Sequence, residues 1–171
     1  DNLQDSVERP ITPIIITEQS RNDTDDPAIW INKEDPSKSL IFGTDKDSLG
    51  ALMVYTLDGK IDKEKSIYDV ARPNNVDVEY GFNFGGEEID IVVFTERYTN
   101  SIRIFSVPEM QAIDNGGIHV FEGEAMRSPM GIVLYKRSSD NSIYAIVGRK
   151  DGPVDSTYLW QYLLKDSGKG Y

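Results

Sequence analysis

Leu40-Ile41-Phe42-Gly43-Thr44-Asp45-Lys46 is a short apolar run that ends abruptly on an acid and a base. The pattern returns at residues 88–97 (EIDIVVFTER) and again at 142–151 (SIYAIVGRKD). Each copy carries a cation at the mouth of a buried strand: Lys46, Arg97 and Lys150. The copies sit roughly 50 residues apart, a period in the range of propeller blades. In every cycle an inner strand comes first, at residues 28–31, 73–80 and 130–135. A third strand bearing an aromatic follows the cation: Tyr55, Phe105 and Tyr162. Asp26 precedes Lys46 by 20 residues, Asn75 precedes Arg97 by 22, and Met130 precedes Lys150 by 20.

Outward from these copies the chain reads as turns and further short strands. Residues 1–10 are polar and are expected to form a mobile N-terminal segment. Residues 11–17 (ITPIIIT) are β-branched and predict a strand, with Pro13 placing it at an edge. Residues 22–27 form an acidic turn, Asp58-Gly59 is a hairpin signal, and residues 81–86 form a Gly-rich turn. No segment sustains helical periodicity. About a dozen short strands at a spacing of roughly 8–14 residues favour an all-β sandwich, barrel or propeller. The phased repeat selects a partial β-propeller of about three four-stranded blades over residues 11–171. Closure of a ring typically takes about 4–8 blades. The remaining blades, or a second domain, are therefore expected as partners.

Composition bounds the chemistry. The 171 residues include 18 Lys and Arg against 29 Asp and Glu, a net charge of −11. That argues against a nucleic-acid partner, because phosphate contacts along nucleic acid need a basic face. Cysteine is absent and there is one histidine, His119, in an apolar-flanked strand. Disulfides, zinc–thiolate sites and transition-metal sites are thereby disfavoured. No run of 18 apolar residues predicts a membrane span.

One cation at a strand end is ordinarily a solvated charge paired with its neighbour, here Asp45, Glu96 or Asp151. Three cations in phase are different, because equivalent blade positions are related by rotation about one axis. They are expected to converge on one anionic, phosphate-rich ligand, with Arg binding bidentately and Lys as a point charge. Asp25-Asp26-Pro27, just after Asp23, sets adjacent carboxylates at a strand start, which suits either a capped turn or a hard cation such as calcium. Asn74-Asn75-Val76-Asp77 stands at the matching place in the second cycle and either forms an Asx turn or offers carbonyls to the same ion. Residues 45–56 begin like an EF-hand loop, but Leu49 stands in place of a ligand and Thr56 in place of the closing Glu.

The order and spacing of Asp25-Asp26-Pro27-Ala28-Ile29-Trp30, Thr44-Asp45-Lys46, residues 54–60 (VYTLDGK), Asn74-Asn75-Val76-Asp77, Arg97 and residues 148–152 resemble the β-propeller (alkaline) phytases of bacteria. The resemblance runs from about Asp25 to Leu164. It implies a six-bladed propeller of which this chain holds about the first half. It further implies calcium-dependent release of phosphate from phytate, inositol hexakisphosphate, or from other phosphomonoesters. By motif position, Lys46, Arg97 and Lys150 resemble the substrate-phosphate ligands. Asp25 and Asp151 resemble acids facing the catalytic calcium cluster, and Asp26 with the carbonyls of Pro27 and Val76 resembles a structural calcium site. Met130 stands where the family has a phosphate-contacting Tyr, and Asp151 where it has Glu. An extracellular or periplasmic bacterial setting is expected. A second reading is an incomplete, non-catalytic propeller domain that binds phytate or calcium, or assists a complete phytase domain. A third is a propeller lectin or scaffold without phosphate chemistry.

Overall fold

The computed structural model describes residues 11–152 and 157–168. The segment 1–10 expected to be mobile lies outside them, as does part of the loop after Gly152. Eleven strands form three antiparallel sheets in succession, with no α-helix among the described residues. Sheet one comprises β1 (Thr24–Trp30), β2 (Leu40–Asp45), β3 (Gly50–Thr56) and β4 (Ile67–Val70). Sheet two comprises β5 (Pro73–Phe84), β6 (Glu87–Glu96), β7 (Ser101–Val107) and β8 (Ile118–His119). Sheet three has three strands, β9 (Pro129–Lys136), β10 (Ile143–Arg149) and β11 (Leu159–Leu163). The all-β, partial-propeller reading holds. The third blade has three described strands rather than four.

Side-chain alternation explains the stacking. In β6, Val92 and Phe94 face sheet one, while Ile91 and Val93 face sheet three. A strand buried on both faces reads as a continuous apolar run, as residues 91–94 do. Trp30, Phe42, Leu52 and Val54 meet Val76, Val92, Phe94 and Phe105 between the first two sheets. Each such buried side chain contributes about 1.5–3 kcal/mol. The second interface joins Ile102 and Ile104 to Leu134, Ala145 and Val147. The first strands of the sheets are neighbours in space, β1 against β5 and β5 against β9.

Two threonines tie those inner strands together. Thr44 Oγ1 accepts from Asp26 N–H at 3.1 Å and donates across the interface to the Asn74 carbonyl at 2.5 Å. Thr95 Oγ1 repeats this one blade on, accepting from Asn75 N–H at 3.1 Å and donating to the Met130 carbonyl at 2.7 Å. Both threonines are fully buried. Acids add a second tie: Asp26 Oδ2 accepts from Val76 N–H at 2.9 Å, and Asp77 Oδ2 from Leu134 N–H at 2.7 Å.

Three local expectations change. Residues 25–27 are not a turn before the strand but lie inside β1, where the pairing register shifts between Thr24 and Pro27. The turn between β5 and β6 is only Gly85-Gly86, because β5 continues to Phe84 past a register shift between Glu79 and Phe82. Gly81, at φ 67°, supplies the left-handed backbone there. Residues 11–17 form no strand. Pro13 cannot donate to a ladder, and the segment stays exposed, with Ile15 to Thr17 meeting sheet one at the Gly59 turn. Glu18 N–H donates to the Gly59 carbonyl at 2.8 Å, and the Glu18 carboxylate accepts from Ile61 N–H at 2.8 Å. Arg21 sits 4.7 Å above the Tyr68 ring.

Replacing Thr44 by valine keeps the shape but strands a buried amide and a buried carbonyl. Urea unfolding is expected to show a loss of about 1–3 kcal/mol. The same change at the exposed Thr17 is expected to cost under about 0.5 kcal/mol.

Candidate active site

Lys46, Arg97 and Lys150 each stand one residue beyond the second strand of their sheet. They occupy the same place in three successive, similarly built sheets. The residue before each cation is buried: Asp45 at 0%, Glu96 at 5% and Arg149 at 3% exposure. Their cores hold the strand ends still while the cations project to half-buried or exposed positions.

Lys46 does not pair with its neighbour Asp45. Its Nζ lies 2.9 Å from Asp25 Oδ1 and 3.6 Å from Asp23 Oδ2. Asp45 turns inward. Its carboxylate accepts from the amides of Asn22 at 3.0 Å and Asp23 at 2.8 Å, and from Asn22 Nδ2 at 3.1 Å. This fixes the segment that leads into β1, and with it Asp23 and Asp25. The turn after Lys46 closes tightly: a Cβ on Gly50 would run into the Asp45 carbonyl and the Pro73 ring.

Arg97 is half-buried. Its backbone amide donates to the Arg72 carbonyl at 3.0 Å, and its Nε is buried with no hydrogen-bond partner. Burial lowers its pKa, and the nearby Arg72 charge lowers it further. Tyr98, Asp151 and Asp25 act in the opposite direction. Asp25 belongs to sheet one and Asp151 follows β10 of sheet three, so Arg97 feels a carboxylate from each flanking sheet. Lys150 is exposed, and its amide donates to the Ser128 carbonyl at 2.8 Å. Asp151 is exposed and borders a cleft of 520 Å³ with Asn100, Met126, Arg127 and Ser128. Lys46, Asp25, Arg97 and Asp151 are thus brought into one electrostatic neighbourhood.

Asp26, Pro27 and Val76 gather at the join of β1 and β5. The Asn74 carbonyl, one candidate donor to an ion, is already used by Thr44. Asn74 is fully buried, its Oδ1 has no partner, and its Nδ2 lies 3.5 Å from Asp25 Oδ2. The amide oxygen of Asn74 and the carboxylates of Asp25 and Asp26 are all oxygen donors, the type that suits a hard cation such as calcium. Among the described residues, no three Asp, Glu, His or Cys side chains form a metal-binding group by themselves.

Sequence reading missed four contributions here. Thr44 and Thr95 stand in phase one step before the acid, a signal visible in the repeat. The Asn74 side chain and the Arg72 charge beside Arg97 left none, because both depend on contacts between strands.

Residues 10–171 match the phytase family. The chain belongs to that family. A curated relative, the 3-phytase of Bacillus subtilis (strain 168), is 33% identical over 153 residues, covering 86% of this chain. The chain spans 37% of the length of that relative. In phytase-family terms, Met130 turns its carbonyl to Thr95 and offers no side-chain hydroxyl.

Replacing Asp45 by alanine leaves the Asn22 and Asp23 amides without their charged acceptor. Chemical denaturation is expected to show a loss of about 1.5–3 kcal/mol.

Proposed function

We propose that this chain supplies one half of a calcium-dependent phosphomonoester hydrolase of the phytase type, with phytate as substrate. The observation that carries this reading is the equivalent placement of Lys46, Arg97 and Lys150, with Arg97 influenced by carboxylates from both neighbouring sheets. Family membership and the name of the Bacillus relative support it.

In this reading Lys46, Arg97 and Lys150 bind phosphate oxygens. Arg97 enters with an unpaired, desolvated guanidinium edge, so its attraction to phosphate is little weakened by water. Negative charge that builds on the oxygens during phosphoryl transfer is stabilised by cations already in position. Lys46 must leave Asp25 to reach a phosphate. Its rim position makes that exchange inexpensive, because a partly exposed ion pair is weak. Asp25, Asp26, Asp151 and the carbonyls of Pro27 and Val76 would hold calcium, with Asn74 Oδ1 as a further donor. Bound calcium would neutralise substrate charge and acidify water at the site. The full carboxylate set and a closed six-bladed ring require further blades or a second phytase domain. Secretion fits the same proposal, since extracellular calcium sites work at roughly 10⁻⁴–10⁻³ M.

A non-catalytic, phytate-binding auxiliary domain is the second reading. Met130 and, among the described residues, the lack of a self-sufficient carboxylate cluster favour it. A single assay separates the two. In calcium, the first reading expects phosphate release from phytate that EDTA abolishes. Lys46→Ala or Arg97→Ala is expected to raise KM about tenfold or more, as each removes a charge-assisted contact worth about 1.5–3 kcal/mol. Phytate binding without release identifies the auxiliary domain, and release that persists in excess chelator rules out calcium dependence.

A further inference from the structure

The residue before each site cation clamps a neighbouring segment, but the third blade does so with the opposite charge. Asp45 accepts from the amides of Asn22 and Asp23, and Glu96 accepts from the Ala71 amide at 2.8 Å. At the matching place in sheet three stands Arg149, whose side chain has no exposed surface. It lies 4.9 Å from the Phe121 ring and 5.8 Å from the Trp160 ring. Its Nη1 pairs with Glu124 Oε2 at 3.0 Å and donates to the Met126 carbonyl at 3.3 Å. Its Nη2 donates to the Thr157 carbonyl at 2.8 Å. A planar guanidinium can hold three such acceptors in fixed directions, which an ammonium cannot.

The partners of Arg149 lead directly to Lys150. Two residues after Met126, the Ser128 carbonyl accepts from the Lys150 amide at 2.8 Å. One residue after Thr157, the Tyr158 hydroxyl donates to the Lys150 carbonyl at 3.2 Å. Both backbone groups of Lys150 are therefore held by segments that Arg149 anchors. The Met126–Ser128 segment also walls the cleft beside Asp151.

We propose that Arg149 is a positioning residue for the third site cation. It binds no phosphate itself. It anchors the two segments that fix the Lys150 backbone and so sets where the Lys150 charge meets an anionic ligand. The ligand part rests on the phytate reading above; the anchoring part does not.

The test compares the full chain with Arg149→Lys, which keeps a cation for Glu124 but cannot reach all three acceptors. Arg149→Met serves if that variant folds, and the solvent-facing Arg137→Ala is the control. Amide hydrogen exchange is read first. The Lys150 amide is expected to exchange about tenfold faster or more in Arg149→Lys, as local opening becomes easier. Amides of the first interface, such as Val54 and Val92, are expected to keep their wild-type rates. Unchanged exchange at Lys150, or faster exchange everywhere, overturns the proposal. Phytate binding in calcium is read second, by calorimetry. Arg149→Lys is expected to weaken it about tenfold, and that loss should vanish in a Lys150→Ala background, because coupled residues are not additive. Losses that simply add overturn the proposal. Wild-type chain that binds no phytate overturns the phytate reading, while exchange at Lys150 still decides the anchoring claim.

Discussion

The buried backbone between successive inner strands is the constraint on which the rest depends. A carbonyl or amide in the interior must find a partner, and water cannot reach these. Thr44 and Thr95 solve this identically, each accepting from its own inner strand and donating to the next. A hydroxyl that serves both strands fixes their offset as well as their distance. The same offset, used twice, puts the ends of β2, β6 and β10 in equivalent places. The position of the cations is thus a consequence of a packing requirement inside the molecule.

The hydrophobic layers reinforce that register. Because β6 is apolar on both faces, sheet two cannot slip relative to either neighbour without exposing Val92 and Phe94 or Ile91 and Val93. The outer face of sheet one is treated differently. Ala51, Met53 and Tyr55 are almost fully buried there, beside the segment that Glu18 and Arg21 pin to the sheet. The run 11–17 that looks like a strand leaves its isoleucines exposed.

Electrostatically, the chain concentrates its few usable cations against an acidic background of −11. Lys46 is held by Asp25 and Asp23, whereas Arg97 keeps a buried donor without a partner. Under the proposed function, Lys46 must leave a half-buried ion pair, whereas the Arg97 donor is already unpaired. Nearby, Asn74 keeps a buried acceptor without a partner. Unpaired groups of both signs at one rim suit a ligand that brings anions together with a cation.

The sequence by itself determined the all-β class, the three-cycle repeat, the cations Lys46, Arg97 and Lys150, and the family. These are legible because strand alternation and period are local, and because a repeat places like residues in phase. Only the tertiary structure decided that Asp25 rather than Asp45 pairs with Lys46, and that the Asn74 carbonyl is taken by Thr44 while its side-chain oxygen stays buried without a partner. It also decided that Arg149, which replaces an acid of the other two copies, turns inward to Glu124, Met126 and Thr157. Each of these depends on which groups meet across a sheet interface, tens of residues apart in the chain. Desolvation then sets which of them must be paired, and that is a property of packing, which adjacency in sequence does not encode.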